Sequence, residues 1–162
     1  MATDPPPDLV LTPLRGEPRT VDEWVTLFVL GIVVLDPFTY ESAWILEEAG
    51  RILETYAPAD VRVGFLVTGT ADEAREFLGP WADRLLAFAD PDRTAVKAMG
   101  LSSLPAFLVV DMAGKIPVAA EGWNPAEWRG VAKHLSSLLS WTHPSIPGDK
   151  APGPYEGSPA LT

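Results

Sequence analysis

Cysteine is absent from the sequence of 162 residues. Without a thiol, the chain can form no disulfide bond, and it has no side chain for thiol-disulfide exchange or for cysteine-based peroxide reduction. Cysteine-based oxidoreductase and peroxidase activities are therefore excluded for this chain. A protein without cysteine is compatible with any redox compartment, so the absence does not indicate where the protein works.

Basic residues are few, and long apolar runs are missing. The chain has 12 Lys and Arg residues against 22 Asp and Glu residues, a net charge of -10. Nucleic acids and anionic membranes bind positive surfaces, so we expect neither as a partner. The longest apolar run, residues 27–35, is far shorter than the roughly 20 residues of a membrane-spanning helix. The first residues lack the basic and apolar stretches of a secretory signal, and we therefore expect a cytoplasmic protein.

Histidine is also scarce, which limits metal sites and hydrolase sites. The two histidines, His134 and His143, are far from a ligand spacing with each other or with carboxylates, so the sequence predicts no metal site. A serine hydrolase would need a histidine beside Ser42, but His134 falls near the end of a predicted helix and His143 in a proline-rich tail. No glycine-rich phosphate loop is present, and we expect no cofactor.

The apolar pattern alternates between strands and helices. With 47% hydrophobic and 21% charged residues, the composition is that of a globular protein. Strands are predicted at 9–11, 27–35, 61–67, 85–89, 106–110 and 115–120. Helices are predicted at 20–25, 39–56, 70–78, 90–100 and 124–140. This order predicts an α/β domain with a mostly parallel sheet, right-handed crossovers and an antiparallel edge from the last hairpin.

The composition divides the chain into three parts. Residues 1–8 are proline-rich and predicted to be flexible, residues 9–141 form the domain, and residues 142–162 are a tail rich in Pro, Gly and Ser. Two interpretations of the tail remain open: it is inert or packs on the domain, or it docks on a partner in extended form. Tyr155 is a candidate anchor.

Four stretches of the sequence resemble the thioredoxin superfamily, and more closely its redoxin branch of TlpA-like and peroxiredoxin-like proteins. They are the strand-turn-helix at 27–56, FADPDRTAVKAMGL at 88–101, SLPAFLVVDMAGKI at 103–116 and EGWNPAEWRGVAKHL at 121–135. The resemblance implies a thioredoxin-like fold, with a central mixed sheet flanked by helices. It also implies a redoxin-type helix-strand insertion at residues 71–89.

The resemblance also implies a site at the start of the second helix. Thr39 and Ser42 occupy the two positions at which thioredoxin-like enzymes carry Cys-x-x-Cys. The peroxiredoxin motif fits less well, because Leu35 stands where that motif has a proline. Leu104-Pro105 matches the family's cis-proline, which presents the preceding backbone to an extended substrate. The implied vestigial groove is lined by Phe38, Thr39, Tyr40, Glu41, Ser42, Leu104 and Pro105.

From these residues we expect a redox-inactive thioredoxin-fold protein that binds a protein or peptide through this groove. Two alternatives remain. One is an enzyme of glutathione-transferase-like type that uses the hydroxyl of Tyr40 or Ser42, and the other is a structural subunit of a complex. We assign no catalytic residue, because Asp36 and Glu41 are better explained as a turn acid and a first-turn helix acid than as an acid-base pair. The preference for Arg over Lys and the high Ala content indicate a bacterial source.

Overall fold

A seven-stranded mixed sheet with helices on both faces forms the domain in the computed structural model, which describes residues 2–161. The strands are β1 (Val10–Pro13), β2 (Arg19–Thr20), β3 (Val29–Leu35), β4 (Val61–Val67), β5 (Leu86–Ala89), β6 (Ser103–Leu104), β7 (Ala106–Val110), β8 (Val118–Glu121) and β9 (Ser158–Pro159). The helices are α1 (Val21–Trp24), α2 (Tyr40–Glu54), α3 (Ala71–Leu78), α4 (Trp81–Arg84), α5 (Thr94–Ala98) and α6 (Pro125–Leu139).

The strand order is β2-β1-β5-β4-β3-β7-β8, and β6 pairs with β9 in a separate ribbon. Only the pairs β3–β4 and β4–β5 are parallel, whereas β1 and β7 join the sheet in antiparallel orientation. The mixed sheet is confirmed, but it is less parallel than expected because antiparallel strands are added on both sides. The segment of α3, α4 and β5 lies where the helix-strand insertion was predicted.

Strand β3 is buried along its whole length, which explains its unbroken apolar sequence. Alternate residues of this strand enter two different cores. Val33 and Leu35 pack with α2 and α6 on one face, and Ile32 and Val34 pack with α1 and α5 on the other. The two cores fix the end of β3, where the predicted site begins.

Side chains cap the starts of three helices. Thr20 and Thr70 each form a capping box with the glutamate three residues later. Asn124 accepts two backbone N–H bonds at the start of α6. Helix α2 differs, because Thr39 at its N-cap makes no side-chain cap bond.

Several boundaries differ from the prediction for local reasons. Strand β8 begins at Val118, since the Asp111 carboxylate accepts the Lys115 N–H and holds the preceding residues in a loop. Helix α5 is shorter than predicted, because residues 90–93 form a turn that ends in Arg93 with a positive φ of 60°. The short elements β2, α4, β6 and β9 were not predicted.

The two terminal segments contact the domain. The Thr3 N–H donates to the Met99 carbonyl, and the tail packs on the domain as described below. The ends of the predicted terminal segments, Met1 and Thr162, lie outside the described residues. Within residues 2–161, no helix has both the length and the apolar character that crossing a membrane requires.

Candidate functional site

The turn between β3 and α2 is organised by Asp36, which is buried. Its Oδ1 accepts the Phe38 N–H at 2.9 Å, and its Oδ2 accepts from the Arg93 guanidinium at 2.9 Å. The side chains of this ion pair are 3% and 17% exposed. Asp36 is thus the turn acid that the sequence indicated, and the pair with Arg93 links the turn to the start of α5.

Thr39 and Ser42 lie at the N-terminus of α2, where the resemblance places the two cysteines. Ser42 is fully buried, and its Oγ accepts the Asp36 N–H at 2.9 Å. Thr39 is half-buried, with its Oγ1 at 3.4 Å from the Asp36 carbonyl. Both hydroxyls therefore serve to close the turn. Of the two hydroxyls that a transferase-like enzyme would use, only that of Tyr40 belongs to an exposed residue.

Leu104 and Pro105 form the opposite wall of the predicted groove, and both are buried. The peptide bond between them is cis. The carboxylate of Glu121 holds the start of β6 in place, because its Oε1 accepts the N–H groups of Ser102 and Ser103. Strand β6 therefore has a fixed position beside the turn of Asp36.

Three aromatic side chains are exposed beside this turn. Phe38 is 65% exposed, Tyr40 is 77% exposed and Trp44 is 56% exposed. The Tyr40 and Trp44 rings stack with their centroids 6.4 Å apart. Contiguous exposed apolar patches mark interaction sites, and aromatic residues are enriched in protein interfaces.

The edge of β6 is occupied by the chain's own C-terminal segment, residues 155–160. Strand β9 pairs with β6 in antiparallel orientation, with Ser158 opposite Leu104. The Ala160 N–H continues the pairing by donating to the Ser102 carbonyl at 3.0 Å. At the start of the segment, Tyr155 exchanges two backbone hydrogen bonds with Trp123, at 2.8 and 3.0 Å. The segment thus runs as an extended chain through the predicted groove.

The C-terminal segment contacts α2 at one end and Arg93, the ion-pair partner of Asp36, at the other. The Tyr155 hydroxyl donates to the Glu41 carbonyl, and its ring packs edge-on against Trp44 at 5.5 Å. Burial, and secondarily the Glu41 carboxylate, raise the pKa of the Tyr155 phenol above its ordinary value. At the other end, the Arg93 guanidinium donates to the Ala160 carbonyl. Arg93 therefore contacts the turn and the segment at once.

Two glycines make the close approach of the segment possible. Gly157 has a φ of +94°, and a Cβ there would lie 2.5 Å from the Leu104 carbonyl oxygen. Gly122 has a φ of +77°, and a Cβ there would collide with the backbone of Glu156. Side chains at either position would push the segment out of the groove.

The seven predicted site residues lie on neighbouring parts of the fold: residues 38–39 in the turn, residues 40–42 in the first turn of α2, and residues 104–105 at the end of β6. Of these, Ser42 is fully buried, with its hydroxyl bonded inside the turn. That they bind a partner remains a prediction. Sequence reasoning missed Arg93, Gly122 and Gly157, and it left the role of Tyr155 open. The two glycines carried no signal that separates them from turn or linker glycines. In the described part of the chain, no group of three His, Cys, Asp or Glu side chains is placed to hold a metal ion.

Comparisons with known proteins identify the fold. No family model matches the sequence, and no curated protein matches it either. The structure is similar to DsbF of Mycobacterium tuberculosis, with a TM-score of 0.66 at 14% identity over 82% of this chain and 96% of that one. It is similar to the exposed lipoprotein thioredoxin Etrx1 of Streptococcus pneumoniae, with a TM-score of 0.62 at 17% identity over 80% and 98%.

A third similar structure is the bacterioferritin comigratory protein of Xanthomonas campestris, which is described with alkyl peroxide reduction activity. The TM-score is 0.58, at 14% identity over 83% of this chain and 88% of that one. Identities this low establish the fold alone. The chain has the thioredoxin-like fold of these redoxins, although its sequence contains no cysteine.

Proposed function

We propose that the protein is a redox-inactive binding module, which holds an extended segment of a partner protein in the groove between residues 38–42 and 103–105. The observation that carries the proposal is the pairing of β6 with an extended segment, β9, beside Pro105. A backbone edge that pairs with one extended segment offers the same hydrogen-bonding groups to another. Binding, rather than electron transfer, is the activity that this cysteine-free groove supports best.

The exposed aromatic residues beside the groove support the same proposal. Phe38 and Tyr40 present most of their surface to solvent. Aromatic side chains of this kind act as interface anchors because they bury a large area at a small cost in conformational entropy. On α2, the C-terminal segment contacts Trp44 and the Glu41 carbonyl. Phe38 and Tyr40 are therefore the anchors that a partner meets first.

Peptide selection followed by affinity measurement tests the proposal. Peptides are selected from a displayed random library on the wild-type protein, and their affinities are measured for wild type and for Phe38→Ala/Tyr40→Ala. We expect the double variant to bind at least about tenfold more weakly, because anchor residues of an interface carry most of its binding energy. The matched control is Met112→Ala, which removes an exposed apolar side chain. Met112 follows the C-terminal end of β7, whereas Pro105 precedes the N-terminal end of that strand.

The control variant is expected to bind the selected peptides as wild type does. If the peptides bind Phe38→Ala/Tyr40→Ala and wild type equally well, the binding surface lies elsewhere and the proposed function is wrong.

A further inference from the structure

The C-terminal segment contacts the groove through a defined set of positions. Positions 155, 157, 158 and 160 make the contacts with the domain, whereas Glu156 and Pro159 are exposed. The specificity for a bound segment is set by the pockets that its inward-facing positions enter. The contacts at each position therefore describe what the groove accepts.

The first position accepts an aromatic residue with a hydroxyl. The Tyr155 ring lies edge-on to Trp44, with an interplanar angle of 82°, and the hydroxyl reaches the Glu41 carbonyl. The backbone N–H and carbonyl of the same residue both form hydrogen bonds with the backbone of Trp123. An aliphatic side chain here would lose both the ring contact and the hydrogen bond.

The third position accepts only glycine. A Cβ at Gly157 would lie 2.5 Å from the oxygen and 3.1 Å from the carbon of the Leu104 carbonyl group. The φ of +94° at this position is also outside the range that L-residues with side chains adopt readily. Both the space and the backbone conformation therefore exclude a side chain.

The fourth and sixth positions accept small side chains. Ser158 is buried, with its Oγ at 3.4 Å from the Leu104 carbonyl oxygen. Ala160 is almost fully buried in the core that contains Leu101 and Leu104, and its carbonyl accepts from Arg93. A longer side chain at position 160 would overpack this core.

The rest of the tail is held separately from the C-terminal segment. Ile146 is buried in the core on the α2 side of the sheet, and the Trp123 indole donates to the Pro152 carbonyl at 2.8 Å. Gly153 and Pro154, which follow, are exposed. The segment after residue 154 can therefore leave the groove while the tail up to Pro152 stays in place.

We infer that residues 155–160 are a built-in ligand of the groove. The inference rests on the proposed function and adds the chemistry of the partner: an extended polypeptide segment with an aromatic residue, a glycine two positions later, a serine after it and an alanine-sized residue five positions after the aromatic. Such a segment of a partner protein enters when the C-terminal segment leaves.

Because residues 155–160 are attached to the domain, they compete strongly with a free peptide for the groove. A segment on a short linker has an effective concentration in the millimolar range. A free peptide of the same sequence therefore binds weakly to the wild-type protein, because only the fraction of molecules with an open groove is competent. A substitution that expels the segment makes the same peptide bind more tightly.

Fluorescence anisotropy with one labelled peptide tests the inference. The probe is a synthetic peptide with the sequence of residues 153–162, GPYEGSPALT, titrated with full-length protein. We expect Gly157→Val to bind the peptide at least about tenfold more tightly than wild type does. The reason is that the protein's own C-terminal segment no longer competes with the peptide for the groove. The matched control is Gly153→Val, because a Cβ at that glycine of the tail meets no atom within 4 Å. This control is expected to bind as weakly as wild type.

Two further measurements complete the test. Tyr155→Ala opens the groove without a change at β6 and is expected to bind the probe several-fold more tightly than wild type does. The peptide that carries Gly157→Val is expected not to bind to either opened variant. The inference is overturned if neither variant binds the probe more tightly than wild type does, or if the valine peptide binds as well as the glycine peptide.

Other outcomes separate this inference from the proposed function. One outcome is that the labelled peptide binds neither Gly157→Val nor Tyr155→Ala, while the library-selected peptides still require Phe38 and Tyr40. In that case the proposed function stands, and the inference that residues 155–160 are a built-in ligand is wrong. Light scattering on the wild type is expected to show a monomer at all concentrations. A wild-type dimer that Gly157→Val converts to a monomer would assign the groove to a second copy of the chain and would overturn the inference.

Discussion

A single buried ion pair, Asp36 with Arg93, holds the site together at the scale of the residue. Arg93 donates from one nitrogen to Asp36 at 2.9 Å and from the other to the Ala160 carbonyl. Since Asp36 also accepts the Phe38 N–H, the pair connects the turn, the start of α5 and the C-terminal segment. Removal of one charge from a buried pair is costly, because the other charge is left without a partner.

Asp36→Asn is predicted to lower the free energy of unfolding by about 3 kcal/mol, because Arg93 keeps a positive charge that is mostly shielded from water. The matched control is Asp83→Asn, which breaks the pair with Arg15 at a site where both side chains are more than two-thirds exposed. That loss is expected to stay below about 1 kcal/mol. Urea unfolding of the two variants and wild type measures both values, and equal losses would contradict the assigned role of Asp36.

Of the two residues in this pair, the sequence indicated the role of Asp36 but not that of Arg93. An aspartate directly after a buried strand and before a helix is typical of a turn acid, and Asp36 has that role. Arg93 lies 57 residues further along the chain, in a turn with positive φ. Local patterns do not report a contact over that separation, so the partner became visible only in the structure.

At the scale of the element, the N-terminus of α2 has the spacing of a redox site without its chemistry. Thr39 is the N-cap, and Ser42 follows within the first turn of the helix. Two residues at these positions lie close enough for a disulfide between their side chains when both are cysteine. The resemblance to thioredoxin-like enzymes predicts the same geometry.

Thr39→Cys/Ser42→Cys is therefore predicted to form an intramolecular disulfide under mild oxidation. Thiol titration and mass spectrometry of the folded protein measure the result, with the two single-cysteine variants as controls that retain one free thiol each. Two free thiols in the oxidised, folded double variant would show that the turn does not have the geometry of the family's active site.

Elements were predictable where their cause is local. Strand β4 was predicted with the same bounds that the structure has, because an apolar run between a proline and a helix cap is a strong local signal. Helix α6 was predicted to begin at residue 124, where Asn124 is the N-cap and Pro125 occupies the first helical position. The ribbon of β6 and β9 was not predicted, since each strand has two residues and exists only through its pairing with the other.

At the scale of the whole molecule, the tail is part of the domain. It contributes Ile146 to the core on one face of the sheet and Ala160 to the core on the other. Between these two anchors, the C-terminal segment fills the groove by backbone pairing. The protein is a thioredoxin-like domain in which the edge of β6 is closed by the chain's own C-terminal segment.

The composition of the tail could not distinguish this arrangement from a loose extension. A stretch rich in Pro, Gly and Ser has the same composition whether it is a linker or a segment held by backbone hydrogen bonds. Its anchors, Ile146, Tyr155 and Ala160, follow no helical or strand period, so they do not form a pattern that a sequence reveals. Of these three residues, the sequence indicated only Tyr155 as a candidate anchor.

Amide hydrogen exchange at the groove tests the central claim most directly. The Trp123, Tyr155 and Ala160 amides donate the hydrogen bonds that hold the C-terminal segment, so in wild type they are predicted to exchange more slowly than exposed amides. In Gly157→Val they are predicted to lose protection while the amides of β3 keep theirs. Rapid exchange of these three amides in the wild-type protein would show that the segment does not occupy the groove and would contradict the account.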